Sequence, residues 1–246
     1  MEAFFIILLA YQTPLNRPRE SHTAAVFVRA TAAGEVSEEF TISWLPARLK
    51  DDPGGVIQAL RPEPGANFTR EETLRLGRRG RRDVVRWGPF QVRPEFYASA
   101  RRRFDFLDSG AVRYTVFDDA LRQAAFDGVP GGAVNCIHAL SDVTGERPPR
   151  TGFLHGGPGT EAALAHFLAG DPQRNFIRYP VLHEWLADAL GLSGVAHARR
   201  LPRRGADSAY DLAELEANGG VRRSLDGGSS LFTSEVAPRL GEPASR

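Results

Sequence analysis

The sequence predicts an α+β fold in which helices pack against an antiparallel sheet. Residues 4–45 contain three runs with strand character, separated by loops. A longer amphipathic segment over 93–107 is typical of a helix, and further helical segments follow after residue 135. An antiparallel sheet with helices packed against it is the architecture of an α+β domain.

The three N-terminal runs are the predicted strands of the sheet. Residues 4–11 are continuously apolar, as in a central strand, and residues 22–30 are rich in small and β-branched side chains. Residues 39–45 form the third strand, which Pro46 ends, and Gly34 marks the turn of a hairpin between the second and third strands. Shorter segments predicted as strands are 56–60, 84–87 (a strand or a turn leading to Gly88-Pro89-Phe90), 112–117 and 195–201.

Five segments are predicted helices. Residues 71–76 form a short one, and residues 93–107 form a longer one with Pro94 in its first turn, where a missing N–H costs nothing. Asn135 is a good N-cap for a helix over 135–143. The remaining two helices are predicted over 160–169 and 181–190, with Gly191 as the stop of the second.

The chain of 246 residues, 42% hydrophobic and 25% charged, suits one domain. We expect a single α+β domain over 1–204 and a polar tail over 205–246, largely disordered from about residue 224. The apolar run 3–10 is far shorter than the roughly 20 residues that cross a bilayer, and Glu2 stands where a signal peptide is basic. It is therefore predicted to be a buried strand of a cytoplasmic protein; a signal or anchor segment is the alternative.

Charge and cysteine content limit the partners. The net charge of +1 gives no reason to expect nucleic acid or an acidic membrane as partner, and the arginine runs 78–82 and 101–103 are predicted to be solvated faces, with contact to an anionic group as the alternative. One cysteine allows no internal disulfide. No spacing typical of a zinc site, a phosphate loop or a dinucleotide fingerprint is present, so neither a metal nor a cofactor is predicted.

The chemistry centres on Asn135-Cys136-Ile137-His138. With Asn135 as the cap, Cys136 lies in the first turn of a helix, where unpaired amides and the helix dipole favour a thiolate and can donate to an oxyanion. The glycine-rich loop 127–133 just before it lets a substrate approach. The sequence thus predicts a nucleophilic cysteine; a small buried core residue is the alternative.

His22 is the predicted base because it opens a strand after a loop, at an edge where its ring can face a cleft. His138 is a poor base, since residues i and i+2 of a helix point to different sides. His155, in a glycine-rich loop that could line the site, is a weaker candidate for the base. The remaining histidines, 166, 183 and 197, are predicted to lie on helix faces or strand surfaces.

These residues resemble the circularly permuted papain-like superfamily, in which the histidine precedes the cysteine. Asn135-Cys136-Ile137-His138 is similar to the Asn-Cys-Glu-His stretch of the lecithin:retinol acyltransferase-like branch, related to permuted NlpC-type peptidases. The stretches 21–28, 72–74, 87–90 and 95–97 resemble bacterial domains related to lipoprotein N-acyltransferases. The matches are short and scattered over residues 20–145.

The resemblance implies His22 as base, Cys136 as nucleophile and a third polar residue on the strand after the histidine. The family's histidine is missing there, and the polar groups present are Glu39, Thr41 and Ser43, of which Ser43 is assigned to the site. The implied activity is amide hydrolysis or acyl transfer through a thioester, with peptide, cell-wall or lipid substrates. The alternatives are a non-catalytic binding or scaffold domain of the same fold, and a membrane-associated protein.

Overall fold

The computed structural model describes residues 2–12, 21–31, 33–53, 61–79, 83–116, 132–144, 160 and 177–198. These residues form two mainly antiparallel sheets with packed helices, which confirms the α+β prediction. The strands are β1 Glu2–Gln12, β2 His22–Thr31, β3 Val36–Ile42, β4 Trp44–Pro46, β5 Glu63–Asn67, β6 Asp83–Val92, β7 Arg113–Tyr114, β8 Ala133–Val134, β9 Ile177–Leu182 and β10 Ala196–His197. The helices are α1 Arg70–Arg79, α2 Pro94–Asp108, α3 Cys136–Ser141 and α4 Glu184–Ala189, with short 3₁₀ turns at Ala47–Lys50 and Asp142–Thr144.

The larger sheet has the strand order β10-β6-β1-β2-β3, with β9 also paired to β6. Strand β1 is central and runs antiparallel to both β2 and β6. Its side chains are buried on both faces, and Phe5, Ile6, Ile7 and Leu8 are fully inaccessible. The apolar run 3–10 is therefore a buried core strand, as its sequence predicts.

Two apolar clusters cover the two faces of this sheet. The first joins Ala25 and Phe27 of β2 to side chains of α2 and α3. The second joins Ala24 and Val26 of the same strand to α4. The alternation follows from the period of two along a strand, which sends successive side chains to opposite faces. Helix α3, which carries Cys136, therefore lies on the Phe27 face.

The third predicted strand, 39–45, is wrong as a single element. The chain leaves the larger sheet after Ile42, and Trp44–Pro46 pairs instead with β5 in the second sheet, of order β4-β5-β7-β8. The backbone N–H of Phe68 donates to the carbonyl of Ser43 at 3.0 Å, which ties the corner to the segment after β5. Ser43 thus occupies the corner between the two sheets.

Strand β6 extends well beyond the predicted segment 84–87. It continues through Gly88-Pro89, whose peptide bond is cis, and a bulge in the pairing between Ile6 and Leu8 of β1 accommodates the irregularity. Gly88 has φ +84°, and a Cβ there would lie 2.9 Å from the carbonyl oxygen of Ile6. A glycine is therefore required at this point by both conformation and space.

The remaining predictions have mixed outcomes. Helices α1 and α2 and the start of α3 agree with the sequence, and Gly191, with φ +67°, follows the end of α4. The predicted helix 181–190 is wrong in its first part, because residues 177–182 form β9. Of the predicted strands 112–117 and 195–201, the described residues 112–116 and 195–198 contain two strand residues each, at β7 and β10. Residues 56–60, 161–169 and the tail lie outside the described residues.

Candidate functional site

The start of α3 is fixed by Asn135. Its backbone is extended, with φ −85° and ψ 176°, and its side-chain oxygen accepts a hydrogen bond of 2.9 Å from the backbone N–H of His138. The carbonyl of Asn135 accepts the first helical bond, from the N–H of Ala139. This is N-cap geometry, and it confirms the predicted helix start. Cys136 is the first residue of the helix.

Helix α3 is held in place from its other end. Arg103 of α2 lies against the last turn of α3, where its guanidinium is 3.1 Å from a carboxylate oxygen of Asp142 and 3.4 Å from the carbonyl of Ala139. Both side chains of this ion pair are almost wholly buried. A cation beside carbonyls at a helix end is electrostatically favourable. The contact fixes α3 against α2 while apolar side chains pack it on β2.

His22 is the first residue of β2 and is buried, with 1% of its surface exposed. It pairs across the sheet with Tyr11, and the two rings lie 5.3 Å apart between centroids. Its Nε2 is 2.8 Å from the hydroxyl oxygen of Ser43. The corner after β3 therefore brings Ser43, 21 residues away, against the histidine.

The contact continues into α1. The hydroxyl of Thr73 is 2.7 Å from the Ser43 oxygen and 2.8 Å from the backbone carbonyl of Thr69. Thr69 and Glu72 form reciprocal hydrogen bonds between side chains and backbone N–H groups at the start of α1. This arrangement is a capping box, which fixes the first turn of the helix and with it Thr73.

Sequence reasoning did not identify Thr73 or Thr69 as part of the site. The Thr-x-x-Glu pattern over 69–72 is a readable helix-start signal. It places Thr73 in the first turn of α1, but nothing local shows that this turn lies beside residue 43. Of the other polar groups named for the third position, Thr41 pairs with Val26 within the larger sheet, and Glu39 forms an ion pair with Arg70 at 3.2 Å.

Two observations bear on whether His22 lies on the same face of the sheet as Cys136, and they disagree. Alternation along β2 places His22 with Ala24, whose side chain belongs to the cluster on the α4 face. The ring that His22 contacts, Tyr11, belongs instead to the cluster that contains Cys136. His22 thus lies at the strand end, in contact with a residue of the Cys136 cluster.

Three further histidines are described. His138 is fully buried in α3. His183, predicted to be a surface residue, is buried instead, with its ring edge-on to Phe5 at 5.0 Å. Burial lowers the pKa of His183 to about 4. His197 is partly buried, with Nδ1 3.6 Å from a carboxylate oxygen of Glu184. His155 and His166 lie outside the described residues.

An open groove of about 530 Å³ runs along the outer side of α1, away from the Thr73 contact. Its lining includes Arg75, Arg78 and Arg79 of α1 and Leu190 and Gly191 after α4. The arginines at 78 and 79 are exposed, as predicted for a solvated helix face, whereas the same prediction is wrong for Arg103, which is buried.

Within the described parts of the chain, no group of three or more His, Cys, Asp and Glu side chains is arranged to hold a metal ion. In the same residues, no helix combines the length and apolar character needed to cross a bilayer.

Comparisons of the chain with protein-family models, with curated proteins and with solved structures give no match.

Proposed function

We propose that this protein is a thiol-dependent acyl-group enzyme, an amide hydrolase or acyltransferase of the permuted papain-like type. Cys136 is the nucleophile, His22 the base and Ser43 the group that orients the base. The observation that carries the proposal is the 2.8 Å contact between His22 Nε2 and Ser43, at the end of the strand on which the Cys136 helix packs. A base oriented by a third polar group is the arrangement that activates a nucleophile.

The reaction has two halves. Because Nε2 of His22 is engaged by Ser43, the other ring nitrogen, Nδ1, takes the proton from the Cys136 thiol. The thiolate attacks the acyl carbon, the bond to the leaving group breaks, and the leaving amine or alcohol takes the proton from the imidazolium. A thioester on Cys136 remains. Water, an amine or a hydroxyl then gives its proton to His22 and attacks the thioester carbon. The bond from that carbon to the Cys136 sulfur breaks, the acyl product leaves, and the imidazolium returns the proton to the thiolate.

The substrates that fit this chemistry contain an amide or acyl ester: peptides, cell-wall material, or lipids and lipoproteins. The groove on α1 does not select among them, since it lies on the side of the helix away from Thr73. No cofactor or metal takes part in the steps above.

The first experiment measures alkylation of Cys136 by iodoacetamide against pH. The single cysteine makes the whole signal report on one residue. The native protein is expected to react faster at pH 6 than the same chain in denaturant, where the thiol has its ordinary pKa of about 8.5. His22→Gln is expected to lose this advantage by at least about 10-fold.

The control is His197→Gln, the same change at a histidine of β10. It should react as the wild type does. An inert native thiol, or a His22→Gln variant that reacts at the wild-type rate while folded by circular dichroism, would overturn the assignment. Intact mass after exposure to activated acyl esters supplies the second readout, because an acyl-enzyme adds the acyl mass to Cys136 and Cys136→Ser removes it.

A non-catalytic binding or scaffold domain of the same fold is the second candidate. It is favoured by the burial of Cys136, which is 1% exposed and part of the first apolar cluster, and by the alternation that groups His22 with the opposite face. Catalysis requires the residues that cover the sulfur to admit a substrate. The alkylation profile separates the two candidates, since a core cysteine reacts only when the protein unfolds.

A further inference from the structure

We infer that Thr73, acting through Ser43, holds His22 in the tautomer that carries its proton on Nε2. Thr73 is therefore a positioning residue: it reaches the imidazole through one intervening hydroxyl. The consequence for catalysis rests on the proposed function, but the tautomer itself does not.

Three contacts link His22, Ser43, Thr73 and Thr69 in series. His22 Nε2 lies 2.8 Å from the Ser43 oxygen, which lies 2.7 Å from the Thr73 oxygen, which lies 2.8 Å from the Thr69 carbonyl. The three side chains are 1%, 0% and 2% exposed, so water does not compete for these bonds. At such distances each contact needs one proton between its two atoms, because two bare lone pairs would repel each other.

The positions of the protons follow from counting them. A carbonyl oxygen only accepts, so the contact to Thr69 uses the single proton of the Thr73 hydroxyl. The contact between Thr73 and Ser43 then uses the single proton of Ser43. No hydroxyl proton remains for the last contact, so its proton belongs to His22 Nε2. In the neutral ring this leaves Nδ1 as the basic nitrogen.

The donor and acceptor roles in these hydrogen bonds do not change when His22 becomes protonated. The imidazolium carries protons on both nitrogens, and Nε2 still donates to Ser43. Protons are thus gained and lost at Nδ1 alone, which is buried. The last acceptor of the series, the Thr69 carbonyl, is held in place because the capping box of Thr69 and Glu72 fixes the first turn of α1. The fixed acceptor at the start of α1 therefore determines which nitrogen of His22 carries the proton.

Replacing Thr73 by valine removes the group that fixes Ser43 as the acceptor of the His22 proton. The Ser43 hydroxyl then has no acceptor at Thr73 and can donate to Nε2 instead, which stabilises the opposite tautomer, with the proton on Nδ1. Valine keeps the shape of threonine, so the packing of α1 changes little. Thr73→Ser keeps the hydroxyl and with it the donor and acceptor roles of the three hydrogen bonds.

The experiment reads the tautomer from the ring ¹⁵N chemical shifts of His22 in the full chain, at a pH where the ring is neutral. The six histidines are separated by the signal lost in His22→Gln. The wild type and Thr73→Ser are expected to show a protonated Nε2, and Thr73→Val a mixture or the Nδ1-protonated form. Thr41→Val makes the same change on β3, within the pairing to Val26, and should leave the signal as in the wild type.

A wild-type ring protonated on Nδ1, or a Thr73→Val spectrum identical to the wild type, would overturn the inference. The proposed function fails separately, when Cys136 is inert although Nε2 is protonated. If both hold, Thr73→Val slows the alkylation of Cys136 at pH 7 about 3- to 10-fold, the effect of one lost hydrogen bond, and Thr73→Ser restores it. Should Thr73→Val not fold, the wild-type and Thr73→Ser spectra still decide the tautomer.

Discussion

At the scale of single residues, Ser43 would do less for the proposed base, His22, than a charged partner does. Its hydroxyl lies 2.8 Å from His22 Nε2, and in the tautomer that we infer it accepts the Nε2 proton and so fixes the orientation of the ring. A neutral oxygen, however, does not supply the negative charge with which a carboxylate stabilises an imidazolium. The hydrogen bonds from Ser43 through Thr73 to the Thr69 carbonyl compensate in geometry, because they fix the partner that Nε2 meets. Substitution of Ser43 therefore tests orientation more than charge.

His183 shows how burial alone turns a histidine into a pH-dependent element. Both ring nitrogens are buried and have no hydrogen-bond partner among the described residues, and burial lowers the pKa of His183 from 6.5 to about 4. Above pH 6.5 the ring is neutral in both the folded and the unfolded state and adds nothing to pH dependence. Between pH 6.5 and 4 the unfolded chain binds a proton that the folded chain does not, so the free energy of unfolding falls as the pH falls.

We predict that His183→Leu removes this loss. From pH 7 to pH 4 the wild type should lose about 3 kcal/mol more of its free energy of unfolding than the variant, since each unit of pKa difference is worth about 1.4 kcal/mol. Urea unfolding of both proteins at pH 7, 5.5 and 4 measures the difference. Parallel pH profiles for wild type and variant would show that the ring is not held neutral by burial.

At the scale of elements, the short helix α3 depends on its surroundings. Six residues are too few for a helix to be stable alone. Asn135 caps its start, and Arg103 of α2 meets its end through the buried pair with Asp142. The position of Cys136 is therefore a property of two packed helices and a strand, and loosening the α2 contact should loosen the candidate site.

We predict that Arg103→Met costs about 3–5 kcal/mol in the free energy of unfolding, because it removes the cation beside the buried carboxylate of Asp142. The double variant Arg103→Met/Asp142→Leu should recover much of this loss, since no buried carboxylate remains. Asp105→Asn is the matched control on the same helix: its pair with Arg101 is exposed and is worth about 0.5 kcal/mol or less. Urea unfolding of the four proteins tests this, and equal losses in the single and double variants would contradict it.

At the scale of the whole molecule, β1 holds the fold together. It pairs with β2 on one side and β6 on the other and contributes side chains to both apolar clusters. The strand bearing His22 and the clusters against which α3 and α4 pack are thus assembled around the first strand of the chain. If residues 3–10 were an anchor outside the folded core, they would contribute nothing to its stability.

We predict that Leu8→Ala lowers the free energy of unfolding by about 2–5 kcal/mol, because the side chain is fully buried in the first cluster. Val36→Ala, an aliphatic truncation on the edge strand β3 where the side chain is 37% exposed, should cost less than about 1 kcal/mol. Denaturant unfolding compares the two. A Leu8→Ala protein as stable as the wild type would mean that residues 3–10 lie outside the folded core.

The sequence by itself determined the features that depend on neighbours along the chain. The apolar run of β1, the hairpin turn at Gly34, the stripe of α2 and the cap at Asn135 all follow from local pattern, and each has its predicted role in the structure. Only the tertiary structure decided where strand β3 ends, that β6 passes through Gly88-Pro89, and that His183 is buried. In each case a distant segment supplies the cause: Phe68 for the corner, the bulge in β1 for β6, and Phe5 for His183.

The candidate site divides along the same line. The sequence named His22, Ser43, Asn135 and Cys136, and the tertiary structure showed that Ser43 meets His22 and that Thr73 extends the contact to α1. The hairpin of β2 and β3 separates residues 22 and 43, and β4 and β5 lie between residues 43 and 73. The meeting of the three residues therefore depends on the pairing of β2 with β3 and on the corner that follows. Local patterns fix which residues are able to react or cap a helix, whereas hydrogen bonds between distant segments fix which of them lie together.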